Sequence, residues 1–98
     1  HKFPLYNAYY NRGILFREQT EYDKAINDFT KAIEIDVNNV AIYYYRAASY
    51  TEKGAYDKAI LDFDKVLELD PNNVQATKDI EDVLSLIKKN TGKYNASK

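Results

Sequence analysis

Apolar residues return along this chain with the period of a helix, and then the whole pattern returns again. Tyr22, Ala25, Ile26, Phe29, Ala32 and Ile33 follow one another at spacings of 3, 1, 3, 3 and 1, which places them on one stripe of an α-helix. Tyr56, Ala59, Ile60, Phe63, Val66 and Leu67 repeat the stripe 34 residues later. Ahead of each stripe stands a shorter one: Tyr9, Gly13 and Phe16 in the first unit, Tyr43, Ala47 and Tyr50 in the second. Each unit therefore predicts two short amphipathic helices. Residues 6–39 align with 40–73 without a gap and are identical at 16 of 34 positions, so the repeat is internal and in phase.

The punctuation agrees with a helix, turn, helix unit. Gly54 breaks the chain between the two helices of the second unit, and Thr20 holds the equivalent place in the first. Thr20 is expected to cap the following helix, with Asp23 three residues on. Asp70-Pro71 reads as a cap followed by proline at the first helical position, where unit one has Val37 and a less rigidly set turn. A fifth helix is expected over 74–90, with Val74, Ile80, Val83, Leu84 and Ile87 on its apolar face and Lys78, Asp79, Glu81, Asp82 and Lys88 on the other. It has the form of a terminal cap, since the last element of a stack must present a polar outer face. The division is then a leader over 1–5, repeats over 6–39 and 40–73, a capping helix over 74–90 and a disordered tail over 91–98.

A unit of 34 residues with aromatic, small, aromatic, then Ala, Phe, Ala and Pro resembles the tetratricopeptide repeat. The matching residues are Tyr9, Gly13, Phe16, Tyr22, Ala25, Phe29 and Ala32 in the first unit. In the second they are Tyr43, Ala47, Tyr50, Gly54, Tyr56, Ala59, Phe63 and Pro71. The resemblance implies an all-α, right-handed solenoid of antiparallel helix pairs, five helices in all. It implies a non-catalytic protein-interaction scaffold, with first helices on the concave side and second helices on the convex side. One departure has chemical content. Arg12 and Arg46 sit where the family usually has leucine, and an arginine in a helix interface needs a partner. Asp28 and Asp62 lie sixteen positions further on in each unit, so either Arg12 pairs with Asp28 and Arg46 with Asp62 across each helix pair, or both arginines extend along the surface to solvent.

Composition narrows the chemistry. Cysteine is absent and the only histidine is His1, so neither disulfides nor a histidine- or thiolate-based metal or catalytic site is expected. The carboxylates lie on helix faces that read as solvated, and the glycines form no phosphate loop, so no enzyme activity and no cofactor are expected. Fourteen basic residues against fifteen acidic ones give a net charge of −1, which argues against nucleic acid as a partner. No run approaches the roughly 20 apolar residues that membrane insertion needs. Methionine is absent as well, so His1 reads as a cut or tag-derived start, with further repeats expected upstream.

The ten tyrosines carry the functional reading. Tyr10 and Tyr44 occupy equivalent positions of successive units, beside Tyr9 and Tyr43, which already serve the core. They are expected to face a groove and not to be needed for the core; the alternative is that Tyr10, Tyr44 and Tyr45 fill gaps between the repeats. Exposed tyrosines offer large contact area at low rotamer cost. The groove set is Asn7, Tyr10, Asn11, Ile14 and Arg17 from the first helix, Ala41, Tyr44, Tyr45 and Ala48 from the third, and Lys78 from the fifth. A protein or peptide partner would lie there. Some members of the family hold the acidic C-terminal tails of chaperones with lysine, asparagine and arginine. Tyr10, Ile14, Tyr45, Gln75 and Asp79 stand at those positions, so that clamp is not supported. Asn11 alone does not restore it, because Ala41 and Tyr45 follow where cations belong. The alternative is self-association, a homodimer formed through the groove or through the truncated N-terminal face, which Phe3, Pro4 and Leu5 would otherwise cover.

Overall fold

The computed structural model describes the backbone of residues 5–95 and the side chains of residues 6–90. Five helices follow one another: α1 (Leu5–Glu18), α2 (Tyr22–Ile35), α3 (Val40–Lys53), α4 (Tyr56–Leu69) and α5 (Val74–Asn95). α1 packs on α2 and α3 on α4 as two antiparallel hairpins, while α2–α3 and α4–α5 contacts join them in a stack. The expected all-α solenoid is present. Phe3 and Pro4, proposed to cover the leading edge, lie outside the described residues. α5 runs on to Asn95, beyond the end expected near residue 90.

The sequence stripes become the seams of the stack. Ala25, Phe29 and Ala32 of α2 and Ala59, Phe63 and Val66 of α4 are buried, with Ile42, Tyr43 and Ala47 of α3 between them and Ala76 and Val83 of α5 closing the end. Small residues set how near the helices come. A Cβ on Gly13 would lie 2.7 Å from the Phe29 ring, so α1 and α2 reach their spacing only with glycine there. Val74 departs from expectation: it is exposed, as are Leu84 and much of Leu86. α5 packs chiefly on α4 and so buries one narrow stripe.

The turns show why two caps are not where they were expected. Within each hairpin the chain closes in a Schellman-type turn: Thr20 and Gly54 N–H donate to Arg17 and Thr51 O at 2.9 and 3.0 Å, and Glu21 and Ala55 N–H to Phe16 and Tyr50 O, both at 2.8 Å. Such a turn needs one left-handed residue. Gly54 supplies it at φ 92°, and Thr20 supplies it at φ 61°. Thr20 is thus a strained turn residue, and α2 has no side-chain cap. Between the hairpins the caps are asparagines. Asn39 Oδ1 accepts from Ala41 N–H at 3.1 Å and Asn73 Oδ1 from Ala76 N–H at 2.9 Å. Their Nδ2 groups bond Asp36 and Asp70 at 3.0 and 3.1 Å. Asp70 therefore ends α4 and orients the asparagine, and Pro71 lies in the turn ahead of α5. The same bonds form at Val37, so proline is not what sets this turn.

A β-branched residue at positive φ is costly, so Thr20→Gly is expected to raise stability. A left-handed penalty of about 1–2 kcal/mol is removed and part is returned as glycine's unfolded-state entropy, leaving a gain of roughly 0.5–1 kcal/mol. Gly54→Thr should lose stability at the equivalent turn. Urea denaturation followed by circular dichroism reads both changes.

Both arginine pairs form. Arg12 Nε and Nη2 donate to Asp28 at 2.7 and 2.8 Å, and Arg46 Nε and Nη2 to Asp62 at the same two distances. Each guanidinium lies between the aromatic residues three before and four after it: Tyr9 and Phe16 for Arg12, Tyr43 and Tyr50 for Arg46. The pairs differ in depth. The Arg12 side chain is 58% exposed and that of Arg46 only 18%. Arg46 also donates to Thr30 Oγ1 of α2 at 3.0 Å, so it ties the second hairpin to the first.

Candidate functional site

The first helices of the hairpins and α5 form one row, and contacts along it follow a simple rule. Residues 34 apart are equivalent, but residues 35 apart touch. Tyr10 meets Tyr45 edge-on with ring centroids 6.0 Å apart. Arg17 Nη2 donates to Glu52 at 3.2 Å, and Tyr44 Oη donates to Asp79 at 2.7 Å. An aromatic chain backs this row, buried at Phe29 and Phe63 and half-buried at its tyrosines. The Tyr10 ring lies 6.1 Å from Phe29, Phe29 stacks on Tyr45 at 6.4 Å, Tyr45 meets Tyr44 at 5.5 Å, and Tyr44 meets Phe63 at 5.6 Å. Tyr10 and Tyr44 are therefore not dispensable for packing, contrary to the sequence reading. Their inner edges join the core through Phe29 and Phe63 while their outer edges remain accessible.

Two hollows open on the row, and Tyr44 stands between them. One, of about 460 Å³, is lined by Val40, Ala41, Tyr44, Tyr45, Asn73 and Gln75. The other, of about 230 Å³, has Tyr44, Ala48 and Phe63 on its inner wall, with Arg17 and Thr51 beside them and Val83 and Leu86 of α5 opposite. Of the residues expected in a groove, the structure brings together Arg17, Ala41, Tyr44, Tyr45 and Ala48. Asn7 and Asn11 are exposed on α1, with Tyr10 and Ile14 half-buried beside them. Lys78 is set apart. It lines a separate hollow with Pro71, Asn73 and Val74 at the turn into α5, and approaches the row only through Asp82 at 4.0 Å. Phe63, Val83 and Leu86 were missed. Phe63 reads as core from its stripe, whereas the last two follow from the contact rule, 35 residues beyond Ala48 and Thr51.

The local electrostatics come from burial and from carboxylates. Burial, then the hydrogen bond to Asp79, raises the Tyr44 hydroxyl to about 12. Burial beside Tyr45 raises Tyr10 as well, and a hydrogen bond to Glu52 raises Tyr22. A folded-state value above the unfolded one means that Tyr44 contributes stability fully below pH 10 and loses it as pH climbs towards 12. Tyr44→Phe should therefore flatten the alkaline fall in stability and remove a late-titrating component from the tyrosinate absorbance. Loss of a component that titrates near 10, with the late one retained, would place Tyr44 in water.

Among the described residues no group of histidine, cysteine, aspartate or glutamate has metal-binding geometry, and no helix is long and apolar enough to cross a membrane. The tetratricopeptide repeat family model matches residues 6–39 and 40–73. The chain belongs to the tetratricopeptide repeat family. It is accordingly a non-catalytic protein-interaction module. No curated protein sequence matches the module. Solved structures do. The second such domain of human RPAP3, solved with the HSP70 peptide SGPTIEEVD, is 28% identical with a TM-score of 0.76; the match covers 80% of this chain and 65% of that one. The Arabidopsis OM64 domain is 33% identical, with a TM-score of 0.76 over 80% of this chain and 64% of that one. The Aspergillus fumigatus Sgt2 domain is 26% identical, with a TM-score of 0.81 over 92% of this chain and 60% of that one. The module thus spans just under two thirds of the length of each.

Proposed function

We propose that the module captures a peptide segment of a partner protein along the row formed by α1, α3 and α5. The observation that carries this reading is the pair of adjoining hollows with a half-exposed tyrosine between them. A chain laid across them would bury apolar side chains on both sides of Tyr44, while Asn7, Asn11 and Gln75 offer amide groups to its backbone. The peptide complex of human RPAP3 supports it as a precedent on the same fold. The precedent does not extend to the acidic tail. Tyr10, Ile14, Tyr45, Gln75 and Asp79 leave no lysine or arginine at the clamp positions, and an acidic C-terminus would face Asp79.

The test is to fill the hollow without touching the core. Ala41 is exposed on α3 and lines the larger hollow, so Ala41→Arg should leave the melting temperature nearly unchanged. Peptides selected from a random twelve-residue display library on the unmodified chain are expected to bind Ala41→Arg at least tenfold more weakly. Leu61→Ser, on an exposed position of α4, should bind like the parent. Equal loss in the two variants, or no loss in Ala41→Arg, would place the binding surface elsewhere. A chain that sediments as a dimer and is made monomeric by Ala41→Arg would mean that the row serves self-association.

A further inference from the structure

The smaller hollow, between α3 and α5, differs chemically from the rest of the row. Its inner wall is apolar, and its rim carries Glu52, Asp79 and Asp82. At about 230 Å³ it lies below the roughly 300–1,000 Å³ of small-molecule sites, and suits a single side chain. The three carboxylates are not equally compensated. Glu52 is paired with Arg17 at 3.2 Å. Asp79 accepts from the Tyr44 hydroxyl at 2.7 Å and from Gln75 Nε2 at 2.9 Å. Both donors are neutral, so they fix the direction of the carboxylate and leave its charge unbalanced. Among the described residues Asp82 pairs with Lys78 alone, 4.0 Å away with both side chains largely in water, which is a weak pairing.

We propose that this cavity takes a lysine or arginine side chain of the bound segment, so that the module selects a basic peptide. The inference rests on the peptide-binding reading above. The aliphatic stem of the incoming side chain would lie along Phe63, Val83 and Leu86, and its cationic head would reach Asp79 and Asp82 at the rim. A carboxylate retains acceptor capacity after one hydrogen bond per oxygen, so Asp79 can accept again without releasing Tyr44. An acidic segment would instead meet two carboxylates of its own sign.

The experiment is to align the peptides selected on the unmodified chain and to titrate the best of them by fluorescence polarisation at low and high salt. The selected sequences should share a lysine or arginine next to an apolar residue, and binding should weaken as salt rises. Asp82→Asn should weaken it several-fold and Asp82→Lys at least tenfold, with melting unchanged in both. Replacing the shared basic residue of the peptide by glutamate should restore binding to Asp82→Lys. If Ala41→Arg abolishes binding while the peptides share no basic residue, or while Asp82→Lys binds normally, the groove reading stands and the cavity assignment is overturned. If Ala41→Arg has no effect, both are overturned. Self-association that Asp82→Lys abolishes would put a second copy in the cavity, and would also overturn the assignment.

Discussion

Arg46→Ala is expected to cost about 3–5 kcal/mol, because it strands a buried carboxylate. Asp62 is almost wholly inside, and its two oxygens accept the two guanidinium bonds at 2.7 and 2.8 Å. Removing the cation leaves that charge without a counterion, frees Thr30 Oγ1 and empties the space between Tyr43 and Tyr50. A domain of this size has a total stability of roughly 5–15 kcal/mol, so the loss is between about a fifth and all of it, and the urea midpoint should fall in proportion. Replacing both partners separates the pair's own contribution from the penalty of an orphaned charge. Arg46→Leu with Asp62→Leu should recover most of the loss, since an apolar pair of similar volume is commonly neutral or stabilising. Arg12→Ala should cost less. Its side chain is already mostly in water, so water can reach Asp28 in its place.

The other large effect is expected at Phe29. Phe29 is fully buried and touches both hairpins: its ring lies against Gly13 within the first and stacks on Tyr45 of the second. Truncation to alanine removes the ring and leaves a cavity in a seam of rigid aromatics that cannot collapse into it, a loss of about 3–5 kcal/mol. The consequence extends to function, because Tyr10 and Tyr45 rest on that ring. Phe29→Ala should therefore weaken peptide binding even at temperatures where the variant is fully folded. Denaturation and peptide titration on the same sample check both parts. A loss well under 2 kcal/mol with unaltered binding would show that the two hairpins do not lean on each other through this ring.

The fold was legible because a repeat states its own geometry twice. Tyr22 to Ile33 and Tyr56 to Leu67 have one spacing, and that spacing permits only a helix. For Arg12 and Arg46 the sequence offered an aspartate at the same distance but left extension into solvent equally open; the bidentate contacts decide it, with Arg12 still largely in water. The caps were less legible. Asp70 and Asn73 are both good capping residues, and which one accepts from the next helix depends on where that helix turns, not on residue type. The dual role of Tyr10 and Tyr44 was hidden for a different reason. Equivalence at 34 residues says which positions correspond, whereas contact along the row is offset by one more. Tyr10 touches Tyr45 and Tyr44 touches Asp79, a relation that emerges only when the hairpins are stacked. The same offset brings Val83 and Leu86 to the smaller hollow, where α5 sequence periodicity alone would not have placed them. At Thr20, position-by-position comparison with Gly54 points to the left-handed turn, and capping preference points the other way; the turn prevails because the hairpin cannot close without it.

The most direct test of peptide capture is the amide chemical-shift map of the isotopically labelled chain as a selected peptide is added. Perturbations should concentrate on α1, α3 and α5, strongest around Ala41, Tyr44, Tyr45, Ala48 and Asp79, with the solvent-facing positions of α2 and α4 unmoved. Perturbations centred on Leu61, Glu34 and Lys31 of the outer helices, with the Tyr44 region silent, would contradict the account.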